Sequence, residues 1–207
     1  PADRLMTLLR SVAEKCRLLQ QFWSIPLPNY GRRGLFAGFG NAGTEGSAQR
    51  TRAAVNYHYD HPAEFWRLWL DQSLSYSCAY FQSLDDSLAA AQEAKLDYIC
   101  RKLRLRPGMR LLDMGCGWRA LIIHAAILYG VEAVGLTVSP EQAEVARQRI
   151  RQAGVEHRCR GVVEDFFAWC EPESFDGVTS VGVAEHVAES RFDDYFKLAQ
   201  VLLRPGG

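Results

Sequence analysis

Eight consecutive residues, Asp113-Met114-Gly115-Cys116-Gly117-Trp118-Arg119-Ala120, have the types and spacing of a ligand-binding turn. Without Cβ atoms, Gly115 and Gly117 let the backbone bend tightly and let a ligand lie against it. The run nominally fits the G-x-G-x-x-A fingerprint of dinucleotide sites. That chemistry wants a carboxylate at the end of the second strand to hold the ribose hydroxyls. Here the second strand ends at Thr137, followed by Ser139 and Gln142, with no acid. An aspartate shortly before the first glycine instead suits a cofactor with a cationic amino-acid end. S-adenosylmethionine (SAM) carries an ammonium and a sulfonium but no pyrophosphate, and it is the better match.

These residues need a sheet behind them. Residues 110–114 read as a short buried strand, about 119–129 as a helix and 132–137 as a second strand. Pro140, at a first helical turn, opens a helix running to about Ala153. Further strands fall at 159–163 and 177–181, and a last helix at about 190–203. Strands separated by helical patterns of roughly 10–15 residues mean βαβ units and a parallel sheet. The predicted fold class is α/β. Upstream, helices are expected over about 62–71 and 86–103, the second N-capped by Asp85 or Asp86 and ended before Pro107-Gly108. Residues 4–23 have apolar side chains at helical spacing, and 25–50 are rich in Gly and Pro breakers. Three segments result: an N-terminal extension over 1–50, a helical cap over 51–106 and an α/β core over 107–207.

Composition narrows the function classes. The 207 residues carry 24 basic and 24 acidic side chains, so no global field draws the protein to nucleic acid. Residues 1–56 hold 8 basic and 3 acidic residues, which suits either a solvated arginine face or an anionic membrane surface. Six scattered cysteines with no C-x-x-C pair argue against a zinc site or a disulfide framework and favour a reducing compartment. The apolar run at 120–128 is interrupted by His124 and is too short to span a bilayer. No signal peptide or internal repeat is visible. The chain starts at Pro1 and stops at Gly206-Gly207 in a turn, so both ends read as cut.

A wider set of residues carries a family resemblance. His58-Tyr59-Asp60, Phe65, Leu70-Asp71, Tyr76-Ser77-Cys78-Ala79-Tyr80-Phe81, Ala91-Gln92, Lys95, Lys102-Leu103 and Pro107-Gly108 precede the glycine turn. Gly135-Leu136-Thr137, Ser139, Gln142 and Glu185-His186-Val187 follow it. In this order the chain resembles the cyclopropane-fatty-acid synthases, a group that includes the mycolic acid cyclopropane synthases. The resemblance covers about 55–207. It implies a class I SAM-dependent methyltransferase fold, Rossmann-like with a mostly parallel sheet, and a helical N-terminal segment.

By that resemblance the SAM site falls on Tyr76, Ser77, Asp113, Gly115, Gly117, Trp118, Thr137, Ser139 and Gln142, with Glu164 or Asp165 as the acidic position after the third strand. The physics agrees: Gln142 can bond ribose hydroxyls, and Glu164 or Asp165 can accept from the adenine amine. The implied reaction is methylene transfer from SAM to a cis double bond of a lipid acyl chain. Attack by an alkene develops cationic character in the lipid, which water exclusion and aromatic faces stabilise. Tyr57, Tyr59, Phe65, Trp66, Tyr76, Tyr80 and Phe81 are the candidate faces. A base must then take a proton, and in the family it resembles a bound bicarbonate held by Cys, Glu, His and Tyr. The Cys and Glu correspond to Cys78 and Glu185, expected to face one cavity. His186 is not the family's His ligand; it can orient the site or exchange protons. No metal is implied. The implied partners are an unsaturated phospholipid, the cytoplasmic face of a membrane touched peripherally, and possible homodimerisation.

Arg119 departs from the family, which has a small residue there. It either swings outward, pairs with the methionine carboxylate, or impairs cofactor binding. A small-amine N-methyltransferase of the coclaurine type shares the fold and a similar Glu-His pattern, and an inactive lipid-binding fragment is the reading from another class. The fold normally has seven strands and the sequence shows four. The family's remaining His and Tyr are expected beyond Gly207, and strand 177–181 is expected at an edge of an unstable isolated chain.

Overall fold

The computed structural model describes Tyr59 and residues 61–207. The helix expected over 4–23, the 25–50 linker and Tyr57 lie outside the described residues. The expected βαβ alternation is present. Helices α1 (Ala63–Arg67) and α2 (Leu88–Lys102) lead into β1 (Arg110–Met114), α3 (Ala120–Tyr129), β2 (Glu132–Thr137), α4 (Pro140–Gln152), β3 (Cys159–Val163), β4 (Gly177–Thr179) and α5 (Phe192–Leu202). Among the described residues the strands form one parallel sheet in the order β3-β2-β1-β4.

Local chemistry explains the boundaries. Ser87, not Asp85 or Asp86, caps α2: its hydroxyl accepts from the Ala90 amide at 3.1 Å. Asp86 is committed to the turn before it, accepting from the Gln82 and Ser83 amides. Ser139 caps α4 with Pro140 in its first turn, and Gly130 ends α3 with φ +64. The first cap helix is short: past Arg67 it winds out through a last turn to Leu70 and gives way to the Asp71–Ser75 turn.

The period-two pattern of the strands sorts the core to both faces of the sheet. Leu111, Ala133 and Cys159 pack with Leu96 and Cys100 of α2, Leu121, Ile122 and Ala125 of α3, and Ile150 of α4. Leu112, Met114, Val134 and Leu136 face the other way, onto Phe175, Tyr195 and Leu202. A third cluster joins Trp66, Leu74 and Trp118. From β1 the chain winds outward to β2 and β3, then returns to place β4 on the opposite side of β1. The strand order therefore reverses beside β1, and the crevice at its carboxyl end is where such sheets bind ligands.

Candidate cofactor and active site

One cavity opens at that crevice. Its volume is about 190 Å³, more than ten times the ~10–15 Å³ that holds one water, so it suits an organic ligand. Of the residues singled out above, Tyr76, Ser77, Asp113, Gly115, Gly117, Trp118, Thr137, Gln142, Glu164, Asp165 and His186 line it. Strands β1 and β2 deliver the floor. The glycine turn follows β1, and Gly115 and Cys116 both donate backbone N–H to the Leu136 carbonyl, at 3.1 and 2.8 Å. Gly115 has φ +85, and a Cβ there would fall 2.3 Å from Val183 Cγ2. A Cβ on Gly117 would meet nothing within 4 Å, so the backbone borders open space where a ligand can approach.

The polar groups of the floor are pre-set. Asp113 is buried and accepts from Thr179 Oγ1 at 2.9 Å. Burial pushes its carboxyl up to about 6, against the opposing effects of the Thr179 hydrogen bond and the Lys95 charge. Thr137 Oγ1 donates to Gln142 Oε1 at 2.7 Å, which leaves the Gln142 amide nitrogen to donate elsewhere. Ser139 behaves differently from its neighbours. Its hydroxyl accepts from the backbone N–H of Gln142 and donates to Glu141 Oε2, both at 3.2 Å. Asp165 accepts from the Phe167 amide and caps the short 3₁₀ turn Phe166–Ala168, while Glu164 accepts from the Asp165 amide.

The opposite wall comes from the cap. Gln92 Nε2 donates to the carbonyls of Ser75 and Ser77, and Lys95 Nζ donates to Ser77 Oγ at 2.6 Å. Lys95 is a buried cation; desolvation lowers its pKa, while Asp71, Cys78 and Asp113 favour its charge. Tyr59 and Tyr76 line the cavity with ring centroids 5.9 Å apart and edge-on, and Tyr59 lies 6.2 Å from the His186 ring. The Tyr59 phenol is pushed up to about 12, chiefly by burial and then by Tyr76 and Glu185. Trp66 stands behind them, 4.9 Å from Tyr76. Tyr80 and Phe81 are exposed and Tyr80 stacks on Tyr98, away from the cavity lining.

Cys78 and Glu185, expected to face one cavity, are not among the residues that line it: both are exposed, each the chain neighbour of a lining residue, Ser77 and His186. Gly182 brings their segments together: its Cβ position lies 3.6 Å from Glu185 Oε1 and 3.7 Å from Ser77 Cβ. Arg119 is outside the cavity lining and turns inward, where the sequence had offered an outward swing as one alternative. It is fully buried with φ +68, and its three guanidinium nitrogens have no hydrogen-bond partner among the described residues. Its charge lies beside the Cys116 thiol, which burial nonetheless pushes up to about 12.

Two residues of this site were not assigned roles from sequence. Lys95 could have been found, because it shares the buried stripe of α2 with Ala91, Gln92 and Leu96. Arg149 carried no signal. It reads as one of several arginines on a solvated helix, yet its Nη1 donates to Ser73 O at 2.6 Å and to Trp118 O at 2.8 Å.

An open parallel sheet with a glycine turn after its central strand and a cavity over the strand ends is the arrangement of class I SAM-dependent methyltransferases. The chain belongs to the family described as mycolic acid cyclopropane synthetase, which it matches over residues 46–207. It is 42% identical over 160 residues to a probable fatty acid methyltransferase of Pseudomonas putida, a match taking in 77% of this chain and 41% of that protein. It is 40% identical over 166 residues to the cyclopropane-fatty-acyl-phospholipid synthase of Escherichia coli K12, with 78% and 40% covered. The mycolic acid cyclopropane synthase CmaA1, solved with SAH and CTAB, superposes with a TM-score of 0.70 at 41% identity over 73% of this chain and 53% of that one. A coclaurine N-methyltransferase superposes with a TM-score of 0.67 at 22% identity, over 100% of this chain and 56% of that one, which is a likeness of fold. The chain spans about two-fifths to one-half of the length of these family relatives.

Proposed function

We propose that the chain binds SAM and serves an enzyme that transfers its one-carbon unit to a cis double bond of an unsaturated phospholipid acyl chain, forming a cyclopropane. The observation that carries this reading is convergence. Residues from β1, β2, the loop after β3 and the cap, far apart in the sequence, line one cavity at the strand-order reversal. The donor set fits the cofactor: an acid below the glycine turn for an ammonium, the free Gln142 amide for ribose hydroxyls, and Glu164 or Asp165 for an adenine amine. When bound, the cofactor supplies an electrophilic methyl group.

The chain's own residues do the rest. Tyr59 and Tyr76 present aromatic faces and edges to the cavity, where a cation developing on the acyl chain gains from the ring quadrupoles. Trp66 and Trp118 close the site from behind and exclude water. Cys78 and Glu185 would hold a small oxyanion, bicarbonate by the family resemblance, which would supply a base for the ring-closing proton. His186, on the cavity wall beside Glu185, orients that group or relays the proton. Ser139 supports the cofactor site through the capped start of α4. The acyl substrate places the protein against the cytoplasmic face of a membrane as a peripheral protein. Among the described residues no helix is long and apolar enough to cross one.

Mass spectrometry of lipids and small amines from cells expressing the gene that encodes this chain tests the reading. Unsaturated acyl chains that gain one methylene in mass and then resist hydrogenation are expected. Mass gain that leaves a reducible double bond, or a methylated amine with unchanged lipids, overturns it.

A further inference from the structure

We infer that Arg149 is a positioning residue that ties the cap segment carrying Tyr76 and Ser77 to the glycine turn, setting the width of the cavity at its glycine-turn end. The inference rests on the reading of the cavity as a SAM site. One guanidinium nitrogen, Arg149 Nη1 of α4, donates to two carbonyls from distant parts of the chain: Ser73 O at 2.6 Å and Trp118 O at 2.8 Å. Trp118 follows Gly117 directly, and Ser73 lies three residues before Tyr76. The two walls of the cavity are thus fastened to the same atom.

The cap side of this link is stiff. Asp71 Oδ2 accepts from the Ser73 amide at 2.9 Å, and Asp71 Oδ1 accepts from the Ser75 amide at 3.1 Å. Ser73 and Ser75 also share a hydroxyl hydrogen bond at 2.7 Å. Residues 71–75 therefore move as one body, held by Arg149 on one side and by Gln92 on the other, where Gln92 grips the carbonyls of Ser75 and Ser77. The Asp71 carboxylate favours the charge of Arg149, offsetting part of the burial that works against it. The turn side is stiff too, since the Trp118 ring packs on Trp66 at 5.1 Å and both sit in the cluster with Leu74. The planar guanidinium fixes the directions of both N–H bonds on Nη1, which suits this double contact; a lysine ammonium ends one atom shorter on a freely rotating stem and holds the two carbonyls less firmly.

Gln142 and Glu164, which face the adenosine end, are delivered by β2, α4 and the loop after β3, without Arg149 as intermediary. Loss of the tie should therefore act selectively on the amino-acid end of the ligand. Calorimetric titration of the enzyme containing this chain and its R149M and R149K variants with SAH and with adenosine tests this, at a temperature where thermal melting shows each fully folded. R149M should bind SAH about tenfold more weakly and adenosine within about twofold of the parent. R149K should recover part of the loss. If R149M does not fold, the same selective loss in R149K, smaller in size, decides. Equal loss for SAH and adenosine, or no loss for either, overturns the positioning role and leaves the site reading standing. Failure of the parent enzyme to bind SAH overturns the site reading itself, and the positioning role with it.

Discussion

The Arg119 guanidinium occupies the space that a side chain at residue 161 would need: a Cβ on Gly161 would fall 1.4 Å from Arg119 Cζ. Gly161 sits in β3 opposite Gly135 of β2, and the side-chain-free strip they form accepts Arg119 and Cys116 from the turn above. The charge is buried without hydrogen-bond partners among the described residues and on a left-handed backbone, two costs at one position.

Arg119 and Gly161 are therefore energetically coupled. G161A should destabilise the chain by more than about 2 kcal/mol, because backbone and buried guanidinium must both shift. In an R119G background the same change should be near neutral, giving a coupling energy of about 2–3 kcal/mol in urea denaturation. R119G alone should raise the unfolding midpoint, since it removes an unpaired buried charge and suits the positive φ. Additive effects of the two changes would show that the side chains do not compete for one space.

Asp113 makes cofactor binding depend on pH. Its folded value of about 6 lies above the ordinary carboxylate range, so the folded protein holds this proton more tightly than the unfolded chain. The stability it contributes is full below that ordinary range and declines as pH rises through about 6. Binding of an ammonium-bearing ligand has the opposite slope, because it needs the carboxylate charged. SAH affinity should rise between pH 5 and 7, and D113N should flatten the profile and bind weakly throughout. A parent profile that is flat over this interval would remove Asp113 from the ligand contact.

Ser139 and Gln142 separate a cap from a contact. S139A deletes the N-cap of α4 and should cost about 1 kcal/mol of stability with little change in SAH affinity. Q142A keeps that cap and should weaken SAH and adenosine together by about tenfold. Paired melting and titration experiments distinguish the two; the reverse pattern would make Ser139 the ligand residue.

Cys78 and Glu185 are expected to matter for turnover and not for cofactor affinity. In the enzyme containing this chain, C78A and E185Q should each lower kcat at least a hundredfold while SAH binding stays within about twofold. Added bicarbonate should raise the rate of the parent enzyme more than that of either variant. Loss of SAH binding in parallel with activity would place these residues in the cofactor site.

The local order of elements was legible in the sequence for a physical reason: strand and helix periods, Pro at a first turn and Gly where φ is positive are short-range requirements. Residues 110–114, 132–137 and 159–163 appear as strands within those limits, and the glycine turn with Asp113, Thr137 and Gln142 stands where the β1 and β2 ends meet. The resemblance of motifs carried the reading further, to Tyr76, Ser77 and His186 on the facing wall. Tertiary structure alone decided what each polar group is spent on. Ser139 and Asp165 make local caps, Thr137 orients Gln142, and Ser87 displaces Asp86 as the start of α2. It also decided that Arg119 turns inward, because only the pairing of β2 with β3 sets Gly135 opposite Gly161 and leaves room between sheet and helix. Arg149 is the clearest case. Its partner Ser73 lies 76 residues away in the chain, and no pattern along a solvated helix face encodes a contact that exists only after the cap has docked on the sheet.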